Sequence, residues 1–283
     1  MIITRVTGGL GNQMFQYAAG KSLATCYNTS LRIDTSLYKK EGYTSYKYHK
    51  RTPKLHQFAI DVPVASWLDF KKFQLLQPFG YQTYYEDGLS FDERVFQQPS
   101  SNIYLRGYWQ SEKYFTSVAK ELKKDFQLPG GVTGPFNEWQ QEIQNKKAIA
   151  LHVRRGDYVY HPKINAIHGA CSAEYYQRAV QRLIDHGVKD AEIFVFSNDM
   201  EWCRQELDLP FPINFVEVEE PVDYEELILM SYCSHFVIAN SSLSWWAAWL
   251  AENPQKNIIA PKKWFKAKHL NSEDIVPESW IRL

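Results

Sequence analysis

The second half of the chain alternates short apolar runs with helical patterns, and this alternation constrains the fold more than any other feature. Apolar runs that predict strands cover residues 148–153, 192–197, 213–218, 236–239 and 257–260. Segments with helical spacing lie between them, at residues 172–186, 200–207, 223–233 and 242–252. Strands that alternate with helices at these lengths form βαβ units around a parallel sheet. The pattern therefore predicts a doubly wound α/β domain with the layout of a nucleotide-binding domain.

The first half is less regular. It begins with a predicted strand, a glycine turn and a predicted helix over residues 12–27, and residues 31–36 and 102–110 predict further strands. Much of residues 40–100 is aromatic and lysine-rich but weakly periodic, so we assign no elements there. The stretch 128–135 is dense in glycine and proline, which predicts a domain boundary. We place the two domains at residues 1–133 and 134–283.

Composition limits the class of protein. The formal net charge of +0 argues against a nonspecific nucleic-acid binder, although it allows a local basic site. The four cysteines form no C-x-x-C pair, which disfavours a zinc knuckle or a disulfide scaffold. No apolar run reaches the ~18 residues of a membrane span, and the N-terminus does not read as a signal peptide. We expect a soluble cytoplasmic protein, with peripheral membrane association left open.

Ligands of open α/β sheets bind beyond the carboxyl ends of the strands, and four polar clusters follow predicted strands here. The first is the glycine turn at residues 8–13. Met14 stands where the dinucleotide fingerprint needs its last glycine, and no Gly-Lys-Ser/Thr of a Walker A loop follows. The turn presents backbone amides and Asn12 at a helix N-terminus, which suits an anion or a sugar hydroxyl. A simple tight turn is the alternative.

The second cluster, "HVRRGD" at residues 152–157, places two arginines at the end of a predicted buried strand. Alternation puts His152 and Arg154 on one side of the strand and Arg155 on the other. Two guanidinium groups at this edge fit a diphosphate, because they bind phosphate oxygens bidentately. The alternative is a structural role, in which Arg155 binds Asp157 or a surface carboxylate. Alternation favours Arg154 for the ligand.

The third cluster, "FSNDMEW" at residues 196–202, also follows a predicted strand. Asp199 is a candidate acceptor for guanine N1–H and N2–H₂, because a carboxylate can accept from both donors. Asn198 beside it is a second candidate. The alternative is that Asp199 caps the following helix.

The fourth cluster, "ANSS" at residues 239–242, leads a strand into a helix. Asn240, Ser241, Ser242 and the free amides of the first helical turn predict a phosphate cradle. Plain capping by the serines is the alternative. No D-x-D motif and no set of residues at metal-ligand spacing is present, so the arginines would take the role that a divalent ion plays elsewhere. The clusters together predict a metal-independent nucleotide-sugar transferase.

Five motifs in order then show a family resemblance. They are "GGLGNQMFQYA" at residues 8–18, "LRGYWQSEKYF" at 105–115, "HVRRGDYV" at 152–159, "FSNDMEWC" at 196–203 and "NSSLSWWAAWL" at 240–250. They resemble glycosyltransferase family 11, the α-1,2-fucosyltransferases of bacterial type, over nearly the whole chain.

The resemblance implies an α/β fold of the GT-B type, with two Rossmann-like domains facing a central cleft. Residues 1–133 would form the acceptor-side domain, and residues 134–283 would bind the donor. The implied activity is inverting, metal-independent transfer of L-fucose from GDP-fucose to the 2-hydroxyl of a terminal β-galactose on a glycan. It needs no cofactor and no nucleic-acid partner.

The resemblance also implies residue roles. In the broader fucosyltransferase superfamily the H-x-R-R segment binds GDP, so Arg154 or Arg155 would contact the β-phosphate, and His152 would lie near the nucleotide. The remaining candidates are Asp199 at the guanine, Ser241 and Ser242 near the phosphates, and Asn12 facing the sugar.

A general base would take the proton of the acceptor hydroxyl, which suits a carboxylate near neutral pH. Asp157 is the nearest candidate, although it could instead hold an arginine or the loop. His168 is a second candidate, with a structural or acceptor-contacting role as its alternative. Tyr108, Trp109 and Gln110 are candidate acceptor contacts because sugars stack on aromatic faces, and plain packing is the alternative.

Three other classes stay open at this level. Another GT-B enzyme would differ in its donor or its linkage. A non-catalytic nucleotide-sugar binder would bind GDP without transfer. A nicotinamide dehydrogenase is disfavoured by the broken glycine fingerprint.

Overall fold

The computed structural model describes residues 1–39 and 51–283, which divide into two units. The first unit comprises Met1–Pro129 and Glu273–Ile275, and the second comprises Gly130–Ser272 and Val276–Leu283. The chain passes from one unit to the other within the stretch 128–135. The functional division into acceptor and donor domains stays a prediction.

The first unit is a parallel sheet with flanking helices. Its elements are β1 (Ile2–Arg5), α1 (Leu10–Cys26), β2 (Leu31–Asp34), α2 (Trp67–Leu75), β3 (Tyr81–Tyr85), β4 (Asn102–Arg106) and α3 (Ala119–Asp125). Within the described residues the strand order is β2-β1-β4-β3, with every pair parallel. The strands predicted near residues 2, 31 and 102 are confirmed, whereas α2 and β3 lie in the region left unassigned.

Helix α1 lies close against this sheet. A Cβ at Gly20 would stand only 3.0 Å from Leu31 Cδ1 and 3.0 Å from Thr4 Cβ. The helix is buried along most of its length, and a side chain at this position would push it off the strands. The glycine therefore permits α1 to pack closely on strands β1 and β2.

The second unit is a larger parallel sheet. Its elements are α4 (Pro135–Gln144), β5 (Ala148–Val153), α5 (Gly156–Tyr160), α6 (Pro162–Ile167), α7 (Ala173–Asp185), β6 (Glu192–Ser197), α8 (Met200–Glu206), β7 (Ile213–Phe215), α9 (Asp223–Ser231), β8 (His235–Val237), α10 (Ser242–Leu250), β9 (Ile258–Ala260) and β10 (Ile281–Arg282). The predicted strands and helices of this half all occur, although the strand expected over 213–218 ends at Phe215.

The strand order of the second unit locates its ligand edge. Among the described residues the order is β10-β9-β8-β5-β6-β7, with parallel pairing throughout. Read from β7, this is the Rossmann order 3-2-1-4-5-6. The order in which successive strands are added to the sheet reverses between β5 and β8, although the strands stay parallel. The doubly wound prediction is therefore confirmed, and the switch point lies at the carboxyl ends of β5 and β8.

Burial explains why β5 is central. All six of its residues are buried, as expected for a strand covered on both faces. Helix α7 packs one apolar side against the sheet through Tyr176, Ala179, Val180 and Leu183. The same helix is capped by Ser172, whose side chain accepts a hydrogen bond from the backbone N–H of Tyr175. In the described part of the chain, no helix has both the length and the apolar character needed to cross a bilayer.

Candidate functional site

Two predicted motifs lie side by side at the switch point of the second unit. Residues 154–157 follow β5 and residues 238–242 follow β8, and these two strands are hydrogen-bonded neighbours. The Tyr158 hydroxyl also donates to the carbonyl of Asn240 over 3.5 Å. The arginines and the serine-led helix therefore occupy the edge at which such sheets bind ligands.

Arg154 is held by the turn that follows it. Its Nη2 donates to Asp157 Oδ1 over 2.6 Å, and its guanidinium lies 5.2 Å from the centre of the Tyr158 ring. In the structural alternative Arg155 was expected to bind Asp157 or another carboxylate; Asp157 binds Arg154, and the carboxylate that binds Arg155 is Asp199. Strand alternation stops at Val153 and α5 begins at Gly156, and the turn between them brings the Asp157 carboxylate back to Arg154.

Arg155 is fixed by the segment that follows β6. Its Nε donates to Asp199 Oδ2 over 3.0 Å, and its guanidinium lies 4.1 Å from the centre of the Trp202 ring. Its backbone N–H donates to Asn198 Oδ1 over 2.9 Å. The side chain is 16% exposed, against 28% for Arg154. Arg154 is thus the more accessible of the two guanidinium groups.

The turn at Gly156 depends on the absence of a side chain. Gly156 has a φ of 29°, and a Cβ there would lie 2.3 Å from Asn198 Nδ2. The predicted candidate Asn198 therefore packs directly against this glycine while it accepts from the Arg155 amide. The two strand ends are locked together by this contact.

Asp199 acts as the N-cap of α8. Its Oδ1 accepts from the backbone N–H of Trp202 over 3.3 Å, and its Oδ2 accepts from Arg155 and from the Tyr160 hydroxyl. The capping alternative is therefore confirmed. Recognition of guanine by the same carboxylate stays a prediction.

His152 is buried at the end of β5. Burial, and secondarily the charge of Arg154, lowers the pKa of its imidazole to about 3. The ring is therefore neutral near pH 7, so it adds no charge to the site. Its Nδ1 has no hydrogen-bond partner among the described residues, and its contact with a nucleotide stays a prediction.

The segment before α10 divides its roles between neighbouring residues. The side-chain amide of Asn240 donates to the carbonyls of His168, Gly169 and Trp264, at 3.0–3.2 Å. This amide holds three loop carbonyls in place. A contact of Asn240 with the sugar-nucleotide substrate stays a prediction.

Ser241 stands at the N-cap position of α10, yet its side chain accepts no hydrogen bond from the helix amides. The capping alternative is therefore wrong for Ser241, whose hydroxyl does not satisfy the first-turn amides. Ser242 is the first helical residue and is partly exposed. The helix N-terminus keeps amide donors and the positive end of its dipole for an anion.

The predicted residue His168 stacks on Tyr158, the ring that Arg154 also contacts. Its ring stacks on Tyr158 with centroids 4.6 Å apart and an interplanar angle of 16°. Phe265 packs against the same imidazole, with ring centroids 5.4 Å apart. The imidazole and the Arg154 guanidinium are therefore joined through their common contact with the Tyr158 ring.

Glu226, on the first turn of α9, was not among the predicted residues. Burial and the negative charge of Asp223 raise the pKa of its carboxyl to about 7, and the positive charge of Arg154 moderates this rise. This carboxyl group therefore changes protonation near neutral pH and responds to the charge of Arg154. The acidic sequence "DYEE" at residues 223–226 was its only sequence signal.

The remaining candidates lie in the first unit. Among them, the prediction that Trp109 contacts the acceptor is wrong. Trp109 is fully buried, with its ring edge-on to Tyr114, so it packs the interior instead of presenting a stacking face. Its φ of 57° turns the ring inward, and the Glu86 carboxylate accepts from the N–H groups of Tyr108 and Trp109 at 2.5 and 2.8 Å. Of the predicted aromatic pair, Tyr108 alone is exposed.

Asn12 and Gln110, predicted for donor and acceptor respectively, contact each other. Gln110 Nε2 donates to Asn12 Oδ1 over 2.7 Å. Asn12 also packs on Gly8, where a Cβ would lie 2.6 Å from Asn12 Nδ2. The glycine turn and the end of β4 are thereby joined at one sheet edge, and their ligand contacts stay predictions.

Comparison with known sequences gives one family and related enzymes. The sequence model described as "Glycosyl transferase family 11" matches residues 1–283. The alpha-1,2-colitosyltransferase of Escherichia coli is 32% identical over 299 residues, which cover 100% of this chain and 99% of that enzyme. The galactoside alpha-(1,2)-fucosyltransferase 2 of Rattus norvegicus is 26% identical, over 86% of this chain and 65% of the rat enzyme.

Comparison with solved structures concerns the fold. The NodZ alpha-1,6-fucosyltransferase, from crystals soaked with GDP-fucose, has a TM-score of 0.50 at 14% identity. The similarity covers 88% of this chain and 92% of NodZ. Together with the two parallel sheets, it confirms the predicted GT-B-like α/β fold with two Rossmann-like domains.

Proposed function

Because the chain belongs to glycosyltransferase family 11, and is therefore a glycosyltransferase, we propose that it moves L-fucose from GDP-fucose to the 2-hydroxyl of a terminal β-galactose. The α-1,2 linkage is supported by the names of the bacterial and rat relatives, which both specify it. The fucosyl donor is supported by the name of the rat enzyme.

One observation carries the proposal, namely that Arg154 and the N-terminus of α10 follow the neighbouring strands β5 and β8 at the switch point. A guanidinium and a set of helix amides at one edge supply the donors that a diphosphate needs. In our proposal Arg154 contacts the diphosphate, and Arg155 holds the strand ends in place through Asp199 and Trp202.

The proposed reaction is a displacement at the anomeric carbon of fucose. The bond to the β-phosphate oxygen breaks and its electron pair leaves with GDP, where the positive charge of Arg154 stabilises it. The galactose 2-oxygen forms a new bond from the opposite face, so the anomeric configuration inverts. The hydroxyl proton passes to a base.

Two carboxyl groups that interact with the charge of Arg154 are candidates for that base. Asp157, the residue predicted first, already shares its charge with Arg154 across 2.6 Å. Glu226 has a pKa raised to about 7 by burial and Asp223, which matches the basicity that proton transfer at neutral pH requires. We propose Glu226 as the stronger candidate on this ground and keep Asp157 as the alternative.

We further propose that transfer needs no divalent metal ion. Among the described side chains, no group of three or more His, Cys, Asp or Glu residues could hold a metal. The proposal rests on the arginine and the helix amides, which can supply the positive charge for the departing diphosphate.

A second candidate donor is favoured by the 32% identical E. coli relative, whose name specifies colitose. Colitose differs from L-fucose by the loss of the 3-hydroxyl. A site that hydrogen-bonds this hydroxyl would reject colitose by about 10⁴-fold, whereas an apolar wall would discriminate weakly. The donor therefore has to be identified by competition between the two sugars.

The experiment begins with GDP alone and then adds each sugar nucleotide. We expect GDP to raise the melting temperature, because ligands that bind only the folded state stabilise it. GDP-fucose should then label a β-galactoside faster than the GDP derivatives of colitose and mannose. Faster transfer of colitose would show that the donor is GDP-colitose and would contradict the proposal of GDP-fucose. GDP binding without any transfer would contradict the proposed enzyme, and absence of GDP binding would contradict the nucleotide site.

A further inference from the structure

The segment 67–79 of the first unit exposes large apolar side chains to solvent. Trp67 and Leu68 are each 68% exposed, Leu75 is 73% exposed and Phe79 is 77% exposed. Isolated exposed apolar residues are common on soluble proteins, but four within thirteen residues form a patch. A patch of this kind indicates a surface that contacts another protein or a membrane.

Helix α2 is anchored so that this patch faces outward. Phe73 is buried, with its ring edge-on to Tyr81 and Tyr104, and Phe70 packs on the same Tyr104. Residues 67, 68, 71 and 75 lie on the opposite side of the helix, since about 3.6 residues complete one turn. The packing of the phenylalanines therefore fixes which side chains point away from the sheet.

The beginning of α2 fixes the same register. Ser66 accepts from the backbone N–H of Asp69, and the Asp69 carboxylate accepts from the backbone N–H of Ser66. This capping box uses the acidic side chain of α2 at the helix end, where it is half-buried. The outward side of the helix consequently carries no carboxylate among its described residues.

The charges on the outward side are positive. Lys71 and Lys72 are both exposed, and Lys71 Nζ lies 5.4 Å from the centre of the Trp67 ring. The lysine stem thus runs along the aromatic face while its ammonium group stays in water. Aromatic and aliphatic residues with interspersed lysines are the composition of helices that lie in a bilayer interface.

We propose that the face formed by Trp67, Leu68, Lys71, Lys72, Leu75 and Phe79 adsorbs to an anionic lipid surface. The apolar side chains would enter the boundary between headgroups and acyl chains, and the two ammonium groups would pair with lipid phosphates. Charge complementarity selects lipid as the occupant, because a second copy of this face would bring the same positive charges together. This inference does not depend on which sugar the enzyme transfers.

The test measures cosedimentation of the full chain with vesicles of two compositions. One is phosphatidylcholine alone, and the other contains about one quarter phosphatidylglycerol. We expect binding to the anionic vesicles that weakens as salt is raised, because surface charges are screened. Equal binding to both vesicles, or binding to neither, would overturn the proposal.

Two variants separate the two contributions. K71Q/K72Q should weaken binding to anionic vesicles about 30-fold, from about 1 kcal/mol for each lysine near a charged surface. W67S/L68S/L75S/F79S should weaken it about tenfold or more by removing the apolar contact. The matched control is K120Q/K124Q, which removes two exposed lysines of α3 in the same unit and should leave binding unchanged. A control that loses binding as strongly as K71Q/K72Q would contradict a specific face.

Sedimentation equilibrium without lipid tests the competing occupant. We expect the wild-type chain and the variants to have the same mass in solution. Self-association of the wild type that the apolar variant abolishes would identify the face as an interface between copies, and would overturn the lipid proposal.

Discussion

Arg154 and Arg155 are adjacent in sequence, yet the structure gives them different partners. Arg154 binds Asp157 within its own turn and stays the more exposed, whereas Arg155 binds Asp199 beyond the neighbouring strand. Their separation arises because α5 begins immediately after Arg155. We therefore expect the two side chains to differ in what their loss does to the protein.

Replacement of Arg154 by alanine should lower kcat by about 10²–10³, the usual cost of removing one group that stabilises developing charge. It should weaken GDP binding and leave the fold intact. Arg155→Ala should instead lower the free energy of unfolding by about 1–3 kcal/mol, because Asp199 loses its half-buried partner. Steady-state kinetics and urea unfolding of both variants measure the difference. Normal turnover by Arg154→Ala would contradict its role at the diphosphate.

Glu226 makes stability depend on pH in a defined direction. Its pKa is raised from about 4.5 in an unfolded chain to about 7 in the folded protein, so the folded state favours the protonated form. The stabilisation is complete below about pH 4.5 and is lost as pH rises through about 7. Glu226→Gln should remove this pH-dependent contribution, about 1–3 kcal/mol, from the difference between pH 5 and pH 8.

Urea unfolding of the wild type and Glu226→Gln at these two pH values measures the effect. The pKa of Glu86 is also raised to about 7 by burial, but that group is present in both proteins and its contribution cancels. An unchanged pH dependence in Glu226→Gln would show that the pKa of this carboxyl is not raised in the folded protein.

At the scale of elements, the connection from β5 to α5 determines the geometry of the site. The chain reverses at Gly156 with positive φ, and the side chain of Asn198 fills the space where a Cβ would be. This close approach aligns the end of β5 with the end of β6. The turn is therefore a structural requirement for the positions of both arginines.

Gly156→Ala should cost about 1–3 kcal/mol in unfolding free energy, from strain at positive φ and from displacement of Asn198. Gly187→Ala is the matched control, since Gly187 in the same unit has a φ of 85° and open space where a Cβ would lie. It isolates the backbone strain. We expect the Gly156 variant to lose more stability and also to bind GDP more weakly, as measured by thermal shift. Equal effects in the two variants would show that the Asn198 contact is unimportant.

Elements with a clear amphipathic or apolar pattern could be predicted, and those without one could not. Strand β5 and helix α7 were predicted because burial on both faces, or on one side, left a pattern in the sequence. Strand β3 is only partly buried at every position but the last, which is exposed, so its residues show no alternation. Helix α2 was missed because it carries apolar residues on both its inward and outward sides, which removes the helical period.

Prediction of the candidate site from the sequence was limited in a similar way. Its location could be predicted, because the motifs follow strands whose carboxyl ends must meet in a parallel sheet. Individual pairings could not, since the partner of Asp157 depends on where the strand stops. The inward turn of Trp109 required a positive φ that its sequence did not reveal. Glu226 was missed because its electrostatic interaction with Arg154 joins elements distant in sequence.

At the scale of the whole molecule, the candidate site and the exposed apolar face belong to different units. The second unit holds the arginines and the serine-led helix, and the first holds the exposed face at residues 67–79. Family membership makes the chain a glycosyltransferase. The identity of the sugar and of the accepting hydroxyl is the proposal that a product has to establish.

Linkage analysis of that product is therefore the most direct measurement. The protein would be incubated with GDP-fucose and either lactose or N-acetyllactosamine in the presence of EDTA, and the product examined by NMR. We predict fucose on the galactose 2-oxygen with inverted anomeric configuration, and product formation by Arg154→Ala that is slower by about 10²–10³. A bond to another hydroxyl, retention of configuration, or transfer that stops with EDTA and returns with a metal ion would contradict it.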